Sequence, residues 1–223
     1  MVGGGESADI GSTEPSPSSR AGVSNMSFKF SLDKATEAAA YLLRLDPAQE
    51  LTYIRLLKLL YLADRQSLQE TGRPITGDRV VAMRHGPVLS NVYDCMKGSF
   101  FGQSRWDEHF ASVGFCVQLR LSPDIRRLSR KEIAILDRVH REHEGKNEWE
   151  IVEETHALKE WKDPGPDDKV KDIPFEEILK AVGRGEQAAQ ILEDARAEAT
   201  MARIVEMARK ATASPAVPAE TGQ

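Results

Sequence analysis

The chain has 223 residues, 40 % of them hydrophobic, and a formal charge of −5, enough apolar material for one ordinary domain with tails or a small extra module. The acidic balance argues against bulk attraction to nucleic acid or anionic membranes, and no apolar run reaches the ~20 residues that span a bilayer. The reading is a cytoplasmic chain that needs no cofactor. Its two cysteines, Cys95 and Cys116, have neither a metal-ligand spacing nor a disulfide framework and read as buried free thiols.

In chain order, residues 1–25 are Gly, Ser and Pro rich with almost nothing to bury, so a disordered tail is expected. Met26 opens a different composition. Ser31 or Asp33 caps a first helix that stops at Asp46-Pro47. The strongest helical pattern follows over residues 51–70. Tyr53, Leu56, Leu57, Leu60 and Leu68 share a wide apolar face, and Arg55, Lys58, Arg65 and Gln69 form a narrow basic stripe. Thr71-Gly72 stops it.

Turn chemistry then leads to a β-prone run over 79–84. Gly86-Pro87 reads as a helix start, with Pro87 in the first position where its missing N–H is harmless, and the helix runs to Lys97. Loose alternation over 100–121 reads as one hairpin. Ser129 and Glu132 make a capping box for a helix over 130–144. Further helices are expected over 147–161, 174–182 and 186–210. The fold class is therefore mainly α: a compact helical domain with a small β-hairpin over 26–165, a C-terminal amphipathic helical extension over 166–212, and a loose tail over 213–223.

Chemistry-bearing clusters are sparse. His140 and His143 sit three apart on one helix, and with His156 they are the raw material for a metal-dependent hydrolase. No HExxH pattern, phosphate-cradling glycine loop or nucleophile elbow accompanies them, so the residues argue against an enzyme and against a metal site. Residues 119–131 carry Arg120, Arg126, Arg127, Arg130 and Lys131, the basis for an alternative reading as a DNA-binding regulator, but no helix–turn–helix shape surrounds them. Asp64 falls on the otherwise apolar line of its helix. It either reaches water or pairs with Arg84 or the Tyr93 hydroxyl, since an unpaired buried carboxylate costs several kcal/mol, on the order of 3–5.

Four runs taken together, LLKLLYLADR (56–65), GRPITGDRVVAMRHGPV (72–88), NVYDCMK (91–97) and THALKEW (155–161), resemble the SocA-like Panacea domain family over roughly residues 32–165. The resemblance implies a mainly helical antitoxin that neutralises a cognate toxin by direct contact. One branch of the family acts as a proteolytic adaptor that delivers its toxin to an ATP-dependent, ClpXP-like protease unfoldase. On this reading Leu60, Asp64, Arg84, Gly86, Pro87, Tyr93, His156 and Trp161 belong to structural motifs. Partner contacts are assigned to the basic stripe of Arg55, Lys58 and Arg65 and to the alanine-rich stripe of the last helix, through Leu192 and Val205. No membrane or nucleic-acid partner is expected.

Overall fold

The computed structural model describes residues 28–100, 103–165 and 170–213, with side chains up to residue 210. The tails expected over 1–25 and beyond residue 213 lie outside the described residues. Ser31, in extended backbone, accepts from the Lys34 N–H and starts α1 (Leu32–Leu45), so it is the cap and Asp33 is the acid of the first turn. A short strand, β1 (Glu50–Thr52), runs directly into α2 (Tyr53–Thr71). Gly72 ends α2 at φ +74, a left-handed conformation that costs a residue with a Cβ about 1 kcal/mol or more.

The segment from Gly86 corrects the sequence reading. Gly86–Leu89 is strand β3, paired antiparallel with β2 (Val80–Met83) through a two-residue turn at Arg84-His85. Pro87 therefore sits in a strand. The missing N–H is tolerated because β3 lies at the edge of its sheet. The following helix, α3 (Ser90–Lys97), begins three residues later than expected and has no cap from its own N-cap side chain. Buried Asp78 does that work from outside, accepting from the Asn91 and Val92 N–H groups.

After the short α4 (Gln103–Asp107) comes the expected hairpin, β4 (Phe110–Val113) and β5 (Cys116–Leu119). β1 adds as a third strand, giving the order β1-β5-β4. Three residues are too few to show alternation, so that strand was not legible. The capping box of Ser129 and Glu132 is formed and opens α5 (Arg130–His143). A second box, of Asn147 and Glu150, opens α6 (Glu148–His156), which stops short of the expected Trp161. β6 (Lys171–Asp172) pairs with β2, and α7 (Phe175–Ala181) and a 3-10 turn lead into α8 (Ala188–Ala213). The fold is mainly helical, with α2 at its centre touching α1, α5, α6, α7 and β3.

Candidate functional site

α2 is an amphipathic helix whose polar residues are consumed inside the chain. Asp64 is buried, and neither Arg84 nor Tyr93 reaches it. Its carboxylate accepts the Ile75 N–H at 2.9 Å, the Thr76 N–H at 3.0 Å and the Thr76 hydroxyl. Burial still pushes its pKa up, to about 7, against the pull of those donors. The Tyr61 hydroxyl and Arg65 Nε donate to buried Glu160 at 2.7 and 2.6 Å. Arg55 donates to the backbone carbonyls of His143 and Lys146. Lys58, 2 % exposed, donates to the Pro87 carbonyl at 2.7 Å.

These contacts join three of the four sequence runs as one lock, and Asp78 of the second run holds the start of the remaining one at Asn91 and Val92. Asp64 holds the Pro-Ile-Thr turn, Lys58 holds the hairpin at Pro87, and Tyr61 with Arg65 holds the Leu-Lys-Glu-Trp segment. Trp161 closes the ring: its indole stacks on His156 at 4.2 Å and donates to the Met83 carbonyl at 3.2 Å. Gly86 is required where it stands. At φ +92 it adopts a left-handed conformation, and a Cβ there would lie 2.7 Å from Thr155 Oγ1 and 2.8 Å from Lys58 Nζ. Leu60, 1 % exposed, is in the core.

The expectation of an exposed basic stripe is thus corrected. Arg55 and Arg65 are half-buried and bonded internally, and Lys58 is buried. Helical periodicity placed the three on one line, but the acceptors that draw them inward come from 29 to 95 residues away. Beside Lys58 lies a cavity of about 300 Å³ between α2 and the β2–β3 turn. Tyr53, Ile54 and Leu57 line it from α2, Met83 and Val88 from the hairpin, and Tyr93 from α3; Arg84 and His85 stand at the turn. Burial pulls the Lys58 ammonium down to about 7.

The alanine-rich stripe of α8 divides in two. Ala188, Leu192 and Ala195 are buried against the domain, Leu192 at 7 % exposure, and Arg73 pairs with Glu198 across that seam. Leu192 is therefore a core residue and not part of a free surface: the helix folds back onto the end of α2. From Met201 to Lys210 every residue is exposed. Met201 (61 %), Ile204, Val205 (46 %) and Met207 present apolar side chains to solvent.

The remaining candidates hold no assembled chemistry. His143 is buried, with Nδ1 2.7 Å from the Val139 carbonyl and Nε2 3.3 Å from Glu154, while His156 is stacked on Trp161. Among the described residues no group of three or more His, Cys, Asp or Glu is placed to hold a metal ion. The basic run is interleaved with acids: Glu37 accepts the N–H groups of Arg126, Arg127 and Leu128, and Arg126 and Arg127 face Asp124 and Asp33. Three buried acids escaped the sequence reading. Asp78 caps α3 from outside, Glu37 holds the loop before α5, and Glu160, flanked by Lys159 and Trp161, takes Tyr61 and Arg65; none has a local signal, because each is defined by distant backbone donors or side chains.

Among the described residues, no helix is long and apolar enough to cross a membrane. The family model described as "Antitoxin SocA-like, Panacea domain" matches residues 56–162. No curated protein matches, and no solved structure matches.

Proposed function

We propose that this chain, whose residues 56–162 match the SocA-like Panacea family model, is an antitoxin that neutralises a cognate protein toxin by direct contact, without catalysis. The observation that carries the reading to a surface is the far end of α8. A helix that leaves its domain with Met201, Ile204, Val205 and Met207 exposed carries an apolar face that no described residue covers, and such faces mark partner sites. The segment lies outside the matched stretch, as a region that selects one toxin among several would.

Delivery of the toxin to an ATP-dependent protease is the finer form of the same reading. It requires a second surface away from the first.

The test is co-expression with the product of the adjacent gene. The chain is expected to restore growth of cells poisoned by that product and to copurify with it at fixed stoichiometry. Ile204→Glu with Val205→Glu is expected to abolish both while the domain melts unchanged. Failure of the unaltered chain to protect overturns the antitoxin reading. Full protection by the double variant moves the partner surface elsewhere.

A further inference from the structure

Of the charged residues on α2, Lys58 is the one whose pairing is unfinished. Asp64 has three donors, Arg65 has a carboxylate, and Arg55 has two carbonyls. Lys58 carries three N–H donors and spends one on a neutral carbonyl. A carbonyl alone does not offset the removal of an ammonium from water. Burial is the sole cause acting on its titration, so no acid of the described chain compensates it.

The side chain nevertheless borders open space. The cavity beside it has no acidic residue in its lining, and it gathers Lys58, Arg84 and His85 in a chain of net charge −5. Arg84, exposed at the turn, has no ion-pair partner among the described residues. Lys97 adds a further cation close by, over the rings of Tyr53 and Tyr93 at 5.4 and 5.6 Å. Positive charge on apolar and aromatic walls is the chemistry of a carboxylate site.

Size and surroundings select the occupant. About 300 Å³ admits one or two side chains and not a helix. Tyr53 also lines a second recess of about 160 Å³, beside Phe115, whose ring is 78 % exposed at the β4–β5 turn. Two side-chain-sized recesses sharing one wall suit an extended peptide with an acidic residue near an apolar one. A polyanion such as nucleic acid would need a continuous basic track, which the acids interleaved along 119–131 interrupt.

We propose that the cavity between α2 and the β2–β3 turn seats an aspartate or glutamate of an extended acidic–apolar segment of the partner protein, the carboxylate pairing with Lys58 and Arg84. The identity of that partner as the toxin rests on the antitoxin reading; the chemistry of the site does not.

Two experiments separate the claims. Random heptapeptides displayed on phage and panned on the full chain are expected to enrich Asp or Glu next to a large apolar residue. A selected peptide is expected to lose at least tenfold in affinity on changing that acid to its amide, and again on Lys58→Met or Arg84→Glu. Arg84 is exposed at a turn, so its variant reads the site even where Lys58→Met disturbs the hairpin. Absence of acidic enrichment, or affinity unchanged in both variants, overturns the site. In the poisoned-cell assay, Arg84→Glu is expected to lose protection, and full protection by it overturns the toxin as occupant. No protection by the unaltered chain would overturn the antitoxin reading and leave the peptide result standing.

Discussion

The two long helices of the chain break the ordinary sorting of side chains in opposite directions. α2 takes charge inward: Lys58 and Asp64 are buried, and Arg55 and Arg65 are bonded to distant parts of the chain. α8 carries hydrophobic side chains outward over about two turns of its second half, from Met201 to Met207. The first costs desolvation that internal partners must offset; the second costs apolar area that no described residue covers. Inward charge therefore specifies how the motif segments assemble, and outward apolar surface is material for a partner. Each difference can be broken by substitution.

Leu60→Asp should have the largest effect. It adds an unpaired charge to the most enclosed face of α2, at a cost of about 4 kcal/mol or more, and loss of the cooperative thermal transition is expected. A soluble, cooperatively melting variant would mean the face is assigned wrongly. Asp64→Ala comes next. It strands the Ile75 and Thr76 N–H groups and the Thr76 hydroxyl, for about 3 kcal/mol in denaturant unfolding; a change below about 1 kcal/mol would show that water replaces the carboxylate.

Within α8 the contrast sharpens to two residues. Leu192→Glu should cost about 2–4 kcal/mol, because Leu192 is buried, whereas Val205→Glu should move stability by less than about 0.5 kcal/mol. Equal effects would erase the division between seated and projecting halves.

Lys58 supplies the pH-dependent case. It titrates near 7 in the folded chain against 10.5 when free. Between those values the unfolded chain holds the proton more tightly, so its contribution raises unfolding free energy as pH climbs from about 7 to 10.5. Lys58→Met should remove that rise, on the order of 5 kcal/mol across the whole window. Parallel pH profiles for the two proteins would show that the lysine keeps its proton.

Much of the fold was legible from short-range chemistry. Ser31, Gly72, the Ser129–Glu132 box and the alternation of 110–119 each act within a few residues, and each is formed. What escaped depends on partners far along the chain. Pro87 looks the same at a helix start and in an edge strand; its pairing with Ala82 decides. Lys58 in a helical stripe looks solvated until the Pro87 carbonyl arrives from 29 residues away. Leu192 and Val205 share one alanine-rich stripe, and only the length of the seam that α8 finds separates the buried residue from the exposed one. The candidate site was thus half legible: Val205 stands exposed, while the basic residues of α2 turn inward toward the cavity that the sequence did not announce.

On the proposed function, the exposed end of α8 and the cavity beside Lys58 are surfaces for one protein partner. Hydrogen–deuterium exchange on the chain alone and in complex with the adjacent gene's product tests it most directly. Slowed exchange is expected over residues 201–210 and over the β2–β3 turn at 83–88, with α5 unchanged. Protection confined to other segments, with both of these exchanging as in the free chain, would contradict it.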